Sequence, residues 1–239
     1  ISRVVETLWL AAAVYDDDRY RQAARRAGDF ILAAQLPEPQ PAWAQQYNVA
    51  MEPVWARKFE PPAVSGSESQ ALIGTLMDLA VATGDRKYLE PIPRALAYLR
   101  RSVLPDGRLA RFYELETNRP LYMTREYQLT YEANDLPTHY GFLVEQDLAE
   151  LTKRFETLQA ETDLRPRPPT ADLKAPRRIT ADFEREIAGY VKALDDRGAW
   201  VEAGRLSYHG KDDPTRDVIS SKTFIQRLDR LGEYLAPRE

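Results

Sequence analysis

The sequence predicts an all-α fold, with αα-hairpin repeats forming an α/α toroid or an incomplete arc of one. Three observations carry that expectation: a recurrence along the chain, apolar spacing suited to helices, and the lack of any long stretch alternating with period two. The recurrence pairs Thr7-Leu8 with Thr75-Leu76, Tyr20 with Tyr88, Arg26-Ala27 with Arg94-Ala95 and Leu36-Pro37 with Leu104-Pro105, always at the same offset. Self-similarity at one period marks a repeated supersecondary unit. This period is longer than the roughly 33–47 residues of the common superhelical repeats, which favours a toroid over a solenoid.

Each copy reads as helix, Asp-containing turn, second helix and a polar loop opened by proline. The turns are Asp16-Asp17-Asp18 and Gly84-Asp85, and the loops begin at Pro37 and Pro105. Leu76, Leu79 and Ala80, and then Ile92, Ala95, Leu96 and Leu99, fall on one helical face each. Beyond Pro120 a tyrosine-rich stretch precedes a helix predicted over about Phe142 to Ala160. Arg165-Pro166-Arg167-Pro168-Pro169 ends that pattern, because prolines lack the donor and fix φ. Thr180 caps a further helix to about Leu194. Its exit, Asp195 to Trp200, echoes Pro105 to Leu109. A closing helix spans Asp217 to Tyr234, with Phe224, Ile225, Leu228 and Leu231 as its expected buried stripe. The domains expected are a toroidal one over 1–160, a Pro/Arg-rich linker over 161–179, and a helical extension over 180–239 that packs on the toroid.

The chain has 239 residues, 44% of them hydrophobic, and a net charge of −4 from 33 basic and 37 acidic residues that are interspersed. That length supports a sizeable core. The mixed charge argues against nucleic acid and against a membrane surface as partners. Without cysteine there is no disulfide, thiolate metal site or cysteine nucleophile. The apolar start is interrupted by Arg3 and Glu6 and reads as an amphipathic helix rather than a signal peptide. The chain opens without an initiator Met, and we expect it to be a piece of something longer.

Two polar segments carry the chemistry. The first runs from Trp43 to Ser69 and offers Trp43, Gln46, Trp55, Arg57, Lys58, Glu60 and Glu68. The second, Arg111 to Pro120, offers two guanidiniums, two carboxylates and Asn118. Aromatic faces, amides and cations together suit an acidic carbohydrate: rings stack on sugar, amides bond hydroxyls, and Arg or Lys pairs with carboxylate. Each residue also has a structural reading: core packing for Trp43 and Trp55, a solvated face for Arg57 and Lys58, and helix capping for Ser65 to Ser69. Arg111 with Glu114 or Glu116 reads as a surface ion pair, and Asn118-Arg119-Pro120 as turn chemistry. His139 and His209 lack metal-ligand spacing, and the acidic residues near His209 and Lys211 lack a calcium-loop pattern.

Trp43-Ala-Gln-Gln-Tyr-Asn48, Arg57-Lys-Phe-Glu60-Pro-Pro-Ala-Val-Ser65-Gly-Ser-Glu68-Ser69 and Arg111-Phe-Tyr-Glu-Leu-Glu-Thr-Asn-Arg-Pro120, in that order, resemble the pectic acid lyase family, the helical-toroid pectate lyases. The resemblance covers about Thr7 to Leu151. It departs from the family pattern at Asn48, where an acidic residue is usual, and at Arg125-Glu126-Tyr127, which replaces Arg-Asp-Gly. It also implies that the family's N-terminal half has no counterpart before Ile1. What it implies for function is calcium-assisted β-elimination on a 1,4-linked polyuronate such as polygalacturonate, by a secreted or periplasmic, monomeric enzyme. Arg119 would be the base, with Arg111 its rival; Trp43, Gln46, Arg57, Lys58, Glu68, Asn118 and Arg125 would bind substrate. Ca²⁺ is the implied cofactor, with its ligands unassigned. The alternatives are a non-catalytic polyuronate-binding relative and an inverting glycoside hydrolase that draws its two acids from Glu60, Glu68 and Glu114.

Overall fold

The predicted recurrence is visible as hairpin geometry. In the structure, a computed structural model that describes residues 1–169, 178–206 and 212–235, α1 (Ser2–Tyr15) ends at Asp16 in the left-handed region, φ 46°. Asp17 then caps α2 (Asp18–Ala33) by accepting from Arg19 N. The same device follows α3 (Gly66–Thr83): Gly84 is left-handed, φ 71°, and Asp85 accepts from Lys87 N. An Asp side chain at this position satisfies one of the donors that a helix start leaves free. The second copy differs because Pro91 and Pro93 interrupt its second helix, leaving a 3₁₀ turn (Arg86–Leu89) and α4 (Ile92–Arg101).

The helices do not make the fold alone, and the all-α toroid expectation is overturned by the strands. Antiparallel β1 (Ala63–Ser65), β3 (Phe112–Glu114), β4 (Pro120–Met123) and β5 (Leu129–Thr130) form one sheet in the order β1-β3-β4-β5. β2 (Leu109–Ala110) pairs with β6 (Leu143–Val144). These strands are two to four residues long, too short to show alternation in a sequence. Phe112 and Tyr113 are both fully buried, so β3 does not alternate at all. Strand β6 also occupies the first part of the helix predicted from Phe142, and α5 covers Leu148–Ala160.

Two compact units divide the chain, Ile1–Ala171 and Asp172–Glu239. In the first, α3 is the central helix, with Ile73, Leu76, Met77, Leu79 and Ala80 inaccessible among α1, α2, α4 and α5. The proline-rich segment stays with this unit, since Arg167 N donates to Val81 O at 2.8 Å. Residues 170–177 lie outside the described residues, as do His209 and Lys211.

The second unit contains α6 (Ala181–Lys192), β7 (Glu202–Ala203), β8 (Asp217–Val218) and α7 (Ser221–Leu235). The turn echo is real: Leu104 N donates to Arg108 O and Gly107 N to Leu104 O, while Asp195 N donates to Ala199 O and Gly198 N to Asp195 O. Both glycines have positive φ, which a side chain would oppose. The stripe expected to be buried on α7 is not, as Phe224, Ile225 and Leu228 are exposed.

A larger correspondence links the two units. Trp43 Nε1 donates to Ile31 O, and Trp200 Nε1 to Tyr190 O, each carbonyl being two residues from the end of its helix. Such carbonyls lack intrahelical partners. Each tryptophan then lies opposite the serine that caps the next helix: Ala44 bridges Val64 beside Trp43 and Ser65, and Glu202 pairs with Val218 beside Trp200 and Ser220. Glu68 N donates to Ser65 Oγ and Thr223 N to Ser220 Oγ, both at 3.3 Å. The next residue of each helix touches the tryptophan, Ser69 by hydrogen bond and Phe224 by ring contact at 5.9 Å. Helix, tryptophan, strand and capped helix thus form one frame that occurs twice.

Candidate functional site

In the first unit the frame fixes both ends of the loop from Gln45 to Pro62. Trp43 is fully buried, its backbone oxygen accepting from Ser65 N at 2.8 Å and from Ser69 Oγ at 3.2 Å. It is a core residue and offers no face to a sugar. Gln46 also works inward, donating to Val54 O at 2.5 Å and Glu60 O at 3.3 Å and so holding the loop's own backbone. Trp55 is exposed.

At the centre of the loop is Glu60, 2% exposed. Its carboxylate accepts from Arg57 Nη2, Gln45 Nε2 and, at 3.2 Å, Arg57 N. The Tyr140 hydroxyl stands 3.0 Å from Glu60 Oε1 and 3.1 Å from Gln45 Oε1, its one proton shared between them. The Arg57 guanidinium, aided by that backbone N–H and the Gln45 and Tyr140 donors, outweighs burial and holds the Glu60 carboxyl down at about 2. Burial pushes the Tyr140 phenol above its ordinary value. Glu60 is therefore an ionised anchor and does not suit the proton donor that a glycoside hydrolase needs.

Three cations meet the aromatic cluster beside Glu60. Arg57 lies 4.9 Å from the Phe59 ring centroid and 5.4 Å from that of Tyr140, Arg111 lies 4.8 Å from Tyr140, and Lys58 lies 5.9 Å from Tyr127. Phe59 stacks on Tyr127 at 5.8 Å and packs against Tyr140 at 4.6 Å. Arg111 is further held by Gly141 O and by Glu68 Oε1 at 3.3 Å, while Ser65 Oγ donates to the other oxygen of Glu68. Arg57, Lys58, Glu68 and Arg111 thus come together from segments distant in sequence. Arg57 is well exposed at the side chain, 62%, and Arg111 much less, 19%.

The remaining candidates lie elsewhere. Arg111 and Arg119 flank opposite ends of the β3 strand, about 10 Å apart along β3 at roughly 3.3 Å per residue. Arg119 stacks on Tyr131 at 3.4 Å and is exposed. Beside it, hydrogen bonds from Thr117 and Tyr131 lower the pKa of Glu114. Asn118, at φ 59°, is a turn residue, as its structural reading predicts: its Oδ1 accepts from Tyr98 Oη and Gln40 Nε2, and its Nδ2 donates to Ser102 Oγ at 3.0 Å. Arg125 pairs with Asp135 at 3.2 Å.

The sequence reading missed Gln45, Phe59, Tyr127 and Tyr140 as members of the cluster, and Gln40 as the anchor of the Asn118 turn. Tyr140 meets Gln45 and Glu60, and Gln40 meets Asn118, from too far along the chain for local pattern to signal them, whereas Phe59 stands beside its cation Arg57. A cavity of about 370 Å³ opens between the starts of α1 and α3 and touches Gln45, Gln46 and Glu68. Arg3 lines it, whereas Arg57, Lys58 and Arg111 do not. Among the described residues no three acidic or histidine side chains gather to hold a metal.

Residues 13–108 match the sequence profile of the pectic acid lyase family, a span that includes Trp43 to Ser69 and stops short of Arg111. No curated protein matches. Two solved structures of a family 10 polysaccharide lyase from Cellvibrio cellulosa are similar. One is a mutant in complex with trigalacturonic acid, at TM-score 0.52 and 21% identity over 65% of this chain and 60% of that one. The other aligns at TM-score 0.52 and 22% identity over 65% and 58%. The chain therefore spans about three-fifths of the length of these relatives. Fold and sequence meet in one assignment, that residues 13–108 carry the sequence pattern of the pectic acid lyase family on a fold shared with family 10 polysaccharide lyases.

Proposed function

We infer that the chain is the substrate-binding part of a polyuronate lyase, secreted or periplasmic and monomeric, which takes the carboxylates of polygalacturonate on Arg57, Lys58 and Arg111. The observation that carries this reading is the convergence of those three cations on the Phe59, Tyr127 and Tyr140 rings. A planar guanidinium matches a carboxylate, and rings beside it suit the apolar face of a pyranose.

The reaction is β-elimination. A base removes the hydrogen at C5 of the uronate, the freed pair forms the C4–C5 double bond, and the C4–O bond breaks, so that the linking oxygen departs and is protonated. Charge grows on the uronate carboxylate as C5 is deprotonated, and the cations of the cluster oppose it. Arg111 is committed to Glu68 and Gly141, which suits binding. Arg119 has no carboxylate within ion-pair distance among the described residues, and it remains our assignment for the base. To act so, it must release its proton in a desolvated, cation-rich complex.

Calcium does not fit the donors present. Glu60 is enclosed by Arg57, Gln45 and Tyr140, Glu68 by Ser65 and Arg111, and Glu114 by Thr117 and Tyr131. A hard cation takes carboxylate oxygens among its six to eight ligands, and those of this cluster are already engaged. The engagement of these carboxylates favours as second reading a relative that binds polyuronate without turnover.

Ultraviolet absorbance of the unsaturated product and direct binding to polygalacturonate test both readings. Product that disappears in Arg119→Ala while binding persists supports the lyase and its base; undiminished product in Arg119→Ala removes the base assignment. Binding without product selects the second reading, and neither binding nor product rejects both.

A further inference from the structure

We propose that Glu60 is a positioning residue for carboxylate recognition, its buried side chain fixing the Arg57 guanidinium and the Tyr140 ring so that Arg57 and Arg111 are presented together to one uronate. The proposal rests on the polyuronate reading above and assigns specificity within that site. Glu60 is almost wholly enclosed, yet its ion-pair partner reaches the surface. That asymmetry distinguishes it from a core salt bridge, in which both charges are removed from water and which well-packed apolar residues can usually replace.

The geometry explains what the pairing does. Free arginine loses much rotamer freedom when it binds a ligand. Glu60 Oε1 takes Arg57 Nη2, which holds the guanidinium in place beforehand and leaves its other N–H groups for an incoming carboxylate. The same Glu60 oxygen lies 3.0 Å from the Tyr140 hydroxyl, and the Tyr140 ring lies beneath both Arg57 and Arg111. Gln45 completes the joint by donating to Glu60. One buried carboxylate thus aligns cations from the Gln45–Pro62 loop and from the start of β3, and Arg111 takes part only through the Tyr140 ring.

Two measurements on the full chain test this with Glu60→Gln, whose side chain keeps the shape and loses the charge. The first is labelling by phenylglyoxal, read peptide by peptide in a mass spectrometer. Arg57 should be modified several-fold faster in the variant, while Arg125, paired elsewhere, keeps its rate; an unchanged Arg57 rate overturns the proposal. The second is a double-mutant cycle on polygalacturonate affinity. Glu60→Gln should weaken binding about tenfold in the unsubstituted chain and less than about twofold in an Arg57→Gln background, because the two residues act as one unit. An equal loss in both backgrounds reveals a merely structural role and also overturns it. Absence of binding by the unsubstituted chain sinks the polyuronate reading, and the labelling comparison still decides whether Glu60 sets Arg57. Should Glu60→Gln fail to fold, Tyr140→Phe removes one hydroxyl from the same joint and is expected to move both readouts in the same direction.

Discussion

Replacing Trp43 separates packing from recognition. The indole is fully buried and its N–H is the partner of the Ile31 carbonyl at the end of α2. In Trp43→Phe that carbonyl loses its partner, at a cost of about 1–3 kcal/mol for a buried unsatisfied group. In Trp43→Ala the lost side chain and the cavity add about 3–5 kcal/mol. For a unit of this size each kcal/mol lowers the midpoint by about 2–4 °C, so Trp43→Phe should melt roughly 2–12 °C lower and Trp43→Ala lower still. Calorimetry reads these shifts. Polygalacturonate binding by Trp43→Phe, measured well below its midpoint, should stay within about twofold of the unsubstituted chain, since the residue has no exposed face to lose. The opposite pattern, an unmoved midpoint with lost binding, would make Trp43 a sugar platform and refute the reasoning.

Four further outcomes follow from particular contacts. The Glu60 carboxyl is held below its ordinary 4.5, at about 2, so its contribution is present above pH 4.5 and is lost as pH falls toward 2. Denaturation of Glu60→Gln should lack that acid-sensitive part, which is at most roughly 3 kcal/mol. Asn118→Ala should destabilise by roughly 3 kcal/mol, through its left-handed backbone and three lost hydrogen bonds, while Asn118→Gly, free of the backbone cost, loses less on thermal melting. Gly66→Ala puts a Cβ into the Ala110 carbonyl oxygen and should lower the midpoint despite alanine's better helix propensity, at a net cost of about 1–2 kcal/mol. Trp200→Phe should lose about 1–3 kcal/mol in the second unit, read as faster amide exchange in α6, because the Tyr190 carbonyl is left unpaired.

Helices and hairpin turns were legible because their determinants are local. The Asp17 and Asp85 caps, the left-handed Asp16 and Gly84, and Thr180 at the start of α6 act within a few residues, so pattern finds them. The strands were not, because two to four residues cannot display a period and pairing partners such as Ala63 and Glu114 are joined only by the fold. The site divides in the same way. Residue types in the Arg57 and Arg111 segments pointed to carboxylate recognition, and those cations do meet. Nothing near Glu60 in sequence announced its burial, since Tyr140 supplies one wall from far along the chain. Trp43 and Asn118 make structural contacts that the composition of a loop does not reveal, because it does not show which way a side chain turns. Burial decided Trp43, and the contacts of its amide decided Asn118.

The tryptophan frame shows why a fixed offset found one repeat and only hinted at another. Hairpins of equal length keep their offset, whereas Trp43 and Trp200 sit at different distances from the ends of α2 and α6 and from Ser65 and Ser220. What is kept is the pairing register and the capped carbonyl, which are properties of backbone hydrogen bonding and tolerate insertion in the loop between. A scaffold built this way lets the loop change without disturbing the helices, and loops on rigid supports are where binding residues gather. In the first unit that loop supplies Arg57, Lys58 and Glu60. In the second unit Arg216, which precedes β8, turns its guanidinium back onto Asp213 O and Thr215 O. Arg216 therefore holds the residues just before it. The frame is the same in both units, and in the first it presents the cations of the Gln45–Pro62 loop.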